Sequence, residues 1–413
     1  MSRVGARVAV VGIGVVGPEA IGVERFREKL RSGSTAIEEV TRFDTSLLNA
    51  HRGAFVKDFS PRDYIPASKI RRMNNLSRMA VAAMRLCLDD AGLDEPLPGS
   101  RQCGVSMGTT FGPVQTSVEY LREYVEKGAA LAPPQLFAES VANAPGSHIA
   151  IEFGLEGFNL TFTQRESSAI SALMYAASQI VKGTVGAAIT GGVEEMNDIT
   201  FSVLDRIGAL AHPSGDRDEA ARPFDHRRNG MVVGEGGAIL LLRASDNTDT
   251  PKGKVYGYLS GFGIAKDPTA SISNWGISAA SLVRAMAHAI SDAGILPQDI
   301  DAVWASANST VACDALERIA LQDFFNENIP PVVATKGYFG EYAAAGGLQI
   351  ASALLAMQQQ ELFPSVGFER GDPGTDLPIV VERRPAHLRH ILVNSLSAGG
   401  GMVSAVISRS ADD

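Results

Sequence analysis

The stretch Thr163-Gln164-Arg165-Glu166-Ser167-Ser168 joins a short apolar run, Phe158 to Thr163, to a segment rich in Ala, Ser and Leu, Ala169 to Gly183. The run reads as a buried strand and the segment as a helix, with a tight turn between them. Such a turn aims backbone N–H groups at one spot and gives that spot the positive end of a helix dipole. The residue at that spot is Glu166, and the rest of the sequence is read outward from it.

On either side, strand and helix patterns alternate. Upstream are a Val-rich strand from Arg7 to Gly12, a helix from Met79 to Ala91 closed by Gly92, and a strand from Gln102 to Met107. The loop Gly108-Thr109-Thr110-Phe111-Gly112 follows. Residues 114–127 read as a helix, and Leu136 to Phe153 as another after the Pro133-Pro134 break. Downstream come a strand from Val185 to Thr190, a Gly191-Gly192 turn and a strand from Ile239 to Leu242. Residues 244–253 form a polar linker. The run Gly12-Ile13-Gly14-Val15-Val16-Gly17 has the GxGxxG spacing of a dinucleotide loop. No second strand ending in an acidic residue follows about 20 residues on, so the glycines are assigned to tight turning beside the core.

The second half echoes the first. Ser291-Asp292-Ala293-Gly294-Ile295 repeats Asp89-Asp90-Ala91-Gly92-Leu93, and each precedes a strand. Glu341 leads into an Ala/Leu/Ile helix, Ala344 to Gln358, as Glu166 leads into Ala169 to Lys182. Strands from Ile391 to Ser395 and from Val403 to Ser408 close the chain. Tandem βα units of this kind predict an internally duplicated α/β fold, with halves at 1–250 and 251–413.

Composition bounds the function. The chain has 413 residues, 45% hydrophobic and 20% charged, with net charge −9. It is globular, and without a Lys/Arg block it is not expected to bind nucleic acid. No apolar run is long enough for a membrane span, and residues 1–11 lack the regions of a signal peptide, so a cytoplasmic location is expected. The three cysteines form no CxxC pair and are read as small buried hydrophobes; no metal site or cofactor is expected.

Arg222-Pro223-Phe224-Asp225, with Gly230 and Gly234-Glu235-Gly236, resembles the elongating β-ketoacyl-acyl carrier protein synthases of the thiolase superfamily. Val10 to Val16, Thr335-Lys336 and Asn394-Ser395 with the glycines after it agree. The resemblance spans nearly the whole chain. It implies a thiolase-like fold layered α-β-α-β-α, and a dimer. The family's chemistry needs a Cys at the strand-to-helix turn and two His residues that stabilise an enolate. Position by position, Glu166 stands for the Cys, Ser306 for the first His and Glu341 for the second, while Lys336 is kept. Ala398 replaces the Phe that gates the family's acyl pocket. None of the seven histidines stands in by position, and His148 is read as structural.

A Glu at the Cys position would give a mixed anhydride that water destroys, so condensation is not expected. Glu166 is read as a plug that accepts the N–H groups of the former oxyanion hole. The alternative is that Glu166 and Glu341, with Lys336 between them, form a new acid–base pair. The pattern resembles the chain length factor of type II polyketide synthases, where most members carry Gln rather than Glu at this turn. That resemblance implies an active ketosynthase partner, an acyl carrier protein, and a tunnel wall to which Thr109, Phe111 and Phe137 contribute beside Ala398. A repurposed ketosynthase homologue, using Glu166 and Glu341 for decarboxylation, cyclisation, dehydration or hydrolysis of a carrier-bound chain, is the alternative.

Overall fold

The computed structural model describes residues 7–94, 100–215, 217–245, 254–342, 345–374 and 376–410. The expected boundary at 250/251 and the start of a helix at Ala344 lie outside the described residues. The main strands are β1 (Arg7–Gly17), β2 (Cys103–Gly108), β3 (Asn159–Phe162), β4 (Ala187–Glu194), β5 (Gly236–Ser245), β6 (Gly257–Lys266), β7 (Ala302–Ala305), β8 (Val332–Ala334), β9 (His390–Ser397) and β10 (Gly401–Ser408). They run in the order β8-β7-β9-β10-β6-β1-β5-β4-β2-β3. The order is symmetric about the antiparallel β1–β6 pair. Outward from it, each half has antiparallel neighbours and then parallel ones, β4–β2–β3 on one side and β9–β7–β8 on the other.

The helices that matter here are α1 (Asn75–Ala91), α2 (Val114–Lys127), α3 (Pro134–Glu139), α4 (Ala144–Phe153), α5 (Ser168–Val181), α6 (Asp198–Arg206), α7 (Ala280–Ala293), α8 (Val311–Phe325) and α9 (Ala345–Gln359). Helices α5 and α9 pack on each other between the two halves. Ala345 to Met357 of α9 are all buried, as a helix apolar on every side must be. Helices α1 and α4 cover the outer face of the first half, α7 and α8 that of the second. The result is the thiolase-like five-layer α-β-α-β-α arrangement.

The duplication extends to single atoms. Gly14 lies where a Cβ would stand 1.8 Å from the Ala83 carbonyl oxygen of α1, and at Gly263 a Cβ would stand 1.9 Å from that of Ala285 in α7. Both helices therefore sit directly on a strand that offers no side chain at the contact. The aspartate near the end of each helix caps the strand it crosses. Asp90 accepts the Ile13 N–H at 2.9 Å, and Asp292 that of Phe262 at 3.0 Å. Gly92 and Gly294 then end the helices with φ of 67° and 77°, the left-handed conformation expected at this position.

Several expectations need correction. The run Phe158 to Thr163 is not a buried strand: β3 is the edge of the sheet, with Asn159 and Leu160 exposed, because no strand covers its outer side among the described residues. The first strand does not close at Gly12. It continues to Gly17, and Gly12 and Gly14 serve contact with α1 rather than turning. Gly191-Gly192 lies inside β4, because a side chain at Gly191 would meet the Ala238 carbonyl of β5. Leu136 to Phe153 is two helices, α3 and α4, with a break at Ser140 to Asn143. The strand β6 went unread, because half of its positions face solvent or the glycine-lined contact. Helix α1 also starts earlier than Met79, since the Asn74 side chain caps it by accepting the Ser77 N–H at 2.7 Å.

Candidate functional site

The turn that opens α5 is held by its own hydrogen bonds. Arg165 takes φ 51°, uncommon for a residue with a Cβ. The Ser168 hydroxyl donates to the Arg165 carbonyl at 2.6 Å and accepts the Gln164 N–H at 2.8 Å, while Ser171 donates to the Gln164 side chain at 2.5 Å. These bonds hold Glu166 at the helix start with its carboxylate turned towards β9. There Oε2 accepts the backbone N–H of Ala398 at 3.0 Å. Its own backbone N–H also stabilises the carboxylate. Ser395 Oγ donates to the Glu166 carbonyl at 3.1 Å, tying the turn to β9 a second time.

Burial pushes the Glu166 carboxyl up to about 7, and the nearby Glu341 charge adds to it, against its own N–H, Lys336 and the Ala398 N–H. Glu341 is buried. One oxygen is ion-paired with Lys336 and accepts Asn308 Nδ2 at 3.1 Å, while the other has no hydrogen-bond partner among the described residues. Lys336 Nζ also donates to the Ser306 carbonyl at 2.7 Å. Burial disfavours the Lys336 ammonium, but Glu341 foremost, with Cys313 and Glu166, raises it above its ordinary value.

Ser306 is buried on the loop after β7. Its hydroxyl oxygen accepts the Leu396 N–H at 2.9 Å, so it ties β7 to β9. The structure thus brings Glu166, Ser306, Lys336, Glu341 and Ala398 into one neighbourhood.

Thr109, Phe111 and Phe137 are elsewhere. Thr109 is buried and donates to Glu194 at 2.9 Å. Phe111 is 40% exposed and Phe137 57% exposed, the latter beside Tyr120 with ring centroids 5.6 Å apart. His148 pairs with Glu139 at 2.7 Å and belongs to the α3–α4 corner.

Three supports escaped the sequence. Glu317 accepts the Ser306 and Ala307 N–H groups at 3.0 and 2.8 Å and Asn394 Nδ2 at 3.2 Å. Asp314 accepts those of Asn308, Ser309 and Phe224 at 2.9, 3.1 and 2.7 Å. Glu194 accepts from Thr109, Thr110 and Phe111. Burial drives all three carboxyls upwards, to about 7, 6 and 8, against these hydrogen bonds. For the α8 pair a signal existed: Asp314 and Glu317 fall in the apolar stripe Cys313, Leu316, Ala320, Leu321, where a carboxylate needs partners.

Asp225 has the opposite balance. Burial opposes its charge, but Arg227 and the N–H groups of Arg370, Arg227 and Glu369 hold it at about 2. It joins the Arg222–Asp225 turn to the loop at 369–370. Among the described residues no group of three or more His, Cys, Asp or Glu is arranged to hold a metal ion, and no helix is long and apolar enough to cross a membrane.

What the arrangement can do follows from what is occupied. The Glu166 carboxylate accepts the Ala398 N–H and is stabilised by its own N–H. Among the described residues no hydrogen bond joins that carboxylate to a thiol or an imidazole.

Comparison with known proteins agrees with this scaffold. Residues 5–247 match the family model described as the β-ketoacyl synthase N-terminal domain, and 256–369 the C-terminal domain. The "Putative polyketide beta-ketoacyl synthase 1" of Streptomyces halstedii is 31% identical over 98% of both chains. The 3-oxoacyl-[acyl-carrier-protein] synthase 2 of Coxiella burnetii is 26% identical, again over 98% of both. A solved structure, the ishigamide ketosynthase/chain length factor, superposes with a TM-score of 0.90 at 27% identity, covering 98% of this chain and all of the other.

Proposed function

The chain belongs to the β-ketoacyl synthase family, and from that premise we propose that it is a non-catalytic, chain-length-factor-like subunit of a type II polyketide synthase. In this role it pairs one-to-one with an active ketosynthase and lines part of the tunnel that holds a carrier-bound polyketide. Its two halves correspond to residues 1–250 and 251–413. The observation that carries the proposal is the Glu166–Ala398 hydrogen bond. The carboxylate fills the position where a thioester oxygen would have to sit, and among the described residues no thiol or imidazole is hydrogen-bonded to it. Removing one oxyanion donor already costs about 10²–10³ in rate.

The surface supports the pairing. Strand β3 ends the sheet, with Asn159 and Leu160 exposed. An exposed edge beside apolar surface is a place for a second chain to pair. Phe111, Leu121, Tyr124 and Phe137 are exposed on the α2–α3 segment and its approach. The solved relative that superposes is itself named as a ketosynthase with a chain length factor. Thr109, Phe111, Phe137 and Ala398 are the proposed tunnel positions, and an acyl carrier protein delivers the chain to the partner.

One observation favours a second function. A carboxyl near 7 beside an ionised Lys336 and an unpaired Glu341 oxygen is suited to proton transfer. That makes the chain a repurposed ketosynthase homologue acting on a carrier-bound acyl group. Co-expression with a Cys-containing ketosynthase separates the two. The first expects a one-to-one heterodimer whose activity needs both chains, with this chain inert alone. Turnover of an acyl-carrier substrate by the isolated chain, lost on Glu166→Gln, would overturn it.

A further inference from the structure

The Glu166 carboxylate does more than fill a vacant site, because the N–H it binds belongs to a loop that carries a second loop. Ala398 opens the turn between β9 and β10. In that turn Gly399 and Gly400 take φ of 97° and 82°. The Gly399 N–H donates to the Asn274 carbonyl at 2.8 Å, and the Gly400 carbonyl accepts the Asp267 N–H at 2.8 Å. Both partners lie on the segment 267–278 that leaves β6.

That outer loop is closed on itself. Asp267 accepts the Thr269 N–H at 2.9 Å, the Thr269 hydroxyl at 2.7 Å and the Ser278 N–H at 2.9 Å. Asn274 Oδ1 accepts the Ser271 and Gly276 N–H groups at 2.9 and 3.0 Å. Its apex side chains make no such anchor, since Ile272 and Ile277 are 78% and 88% exposed. A Cβ at Gly400 would meet the Asp267 carbonyl at 2.5 Å and Ala270 Cβ at 2.6 Å, so the two loops touch with no room between them. On its inner side the Ala398 turn has a side-chain fastening in Glu166.

We infer that Glu166 is an internal strap: its carboxylate holds the Ala398–Gly401 turn against the start of α5 and, through that turn, keeps the 267–278 loop closed as the second half of one clasp. The inference concerns these loops alone and stands whether or not the chain pairs with a ketosynthase. The groups that face the strap are Glu341 and Lys336. Lys336 opens the short helix Lys336–Phe339 and Glu341 follows it, and their hydrogen bonds go to each other, the Ser306 carbonyl and Asn308 rather than to the Ala398 turn.

Hydrogen exchange read by mass spectrometry on the full chain tests this, with peptides spanning 396–402 and 266–279 and the strand 7–17 as reference. Glu166→Met keeps the side chain's length and removes its acceptor, and Glu166→Ala removes both. The expected result is exchange faster by about tenfold or more in both loop peptides for both variants, the range for a lost hydrogen bond to a charged group. The reference strand stays unchanged. Glu166→Gln, whose amide oxygen still accepts the Ala398 N–H, should stay within about threefold of the parent. Unchanged exchange in either loop, or loosening of 396–402 alone, would overturn the strap. So would equal loosening of residues 7–17 in both variants, because the side chain would then be holding the whole fold.

Discussion

Lys336 and Glu341 form an ion pair whose side chains are 6% and 3% exposed, and the lysine also donates to the Ser306 carbonyl. The pair stands at the start of the second-half helix, as Glu166 stands at the start of the first. A buried pair of this kind contributes little net stability over an apolar replacement, but breaking it strands a charge.

Glu341→Leu is therefore expected to destabilise the chain by about 3–5 kcal/mol. The double change Lys336→Met with Glu341→Leu should recover most of that loss. Denaturant midpoints for the two single variants and the double variant give the coupling. Additive losses would show that the two residues do not act as a pair.

Restoring the nucleophile separates scaffold from chemistry. Glu166→Cys places a thiol at the start of α5, beside the Ala398 N–H. It should accept an acyl group from a pantetheine thioester, seen as a mass increase on the intact chain. It should not elongate malonyl groups, because Ser306 and Glu341 supply no imidazole. Condensation by the single variant would show that the histidines are dispensable on this scaffold.

The raised Glu166 carboxyl gives stability a sign with pH. Between its ordinary range near 4.5 and its folded value of about 7, the folded chain holds a proton that the unfolded chain releases. This group's contribution is full below that window, falls as pH rises through it, and is flat above. Glu317 and Glu194, at about 7 and 8, act in the same direction. Unfolding midpoints from pH 5 to pH 8.5 should show Glu166→Gln gaining on the parent as pH rises. A constant difference would mean that Glu166 titrates normally.

The helix–strand contacts predict a graded glycine series. Gly14→Ala and Gly263→Ala drive a methyl group into the Ala83 and Ala285 carbonyls, and each should cost about 3 kcal/mol or more, or abolish soluble expression. At Gly186 nothing lies within 4 Å of a new Cβ, and Ala there should be neutral or slightly stabilising. Thermal unfolding ranks the three.

The proposed pairing surface can be tested without touching the degenerate site. Leu160→Asp on β3 and Phe137→Asp on α3 change exposed positions, so the isolated chain should keep its stability to within about 0.5 kcal/mol. Co-purification with a ketosynthase partner should fall sharply. Retained one-to-one association would place the partner on another face.

The sequence by itself determined the fold class and the duplication. These are carried by local patterns: the Asp-Ala-Gly helix endings, the turn before an apolar helix, and the Arg222-Pro223-Phe224-Asp225 run with the glycines after it. Local patterns survive because backbone propensity and burial act over a few residues. Only the tertiary structure decided what Glu166 and Ser306 touch. Glu166 meets Ala398 across 232 positions and Ser306 meets Leu396 across 90, and no periodicity encodes such pairs. The structure also turned Gly12, Gly14 and Gly191 from turn residues into places where helix or strand backbone comes within contact distance. A glycine looks the same in both roles until the neighbour that excludes its Cβ is in place. The same holds for Glu317, Asp314 and Glu194: a carboxylate among apolar residues announces that partners are needed, and the fold alone says which N–H groups they are.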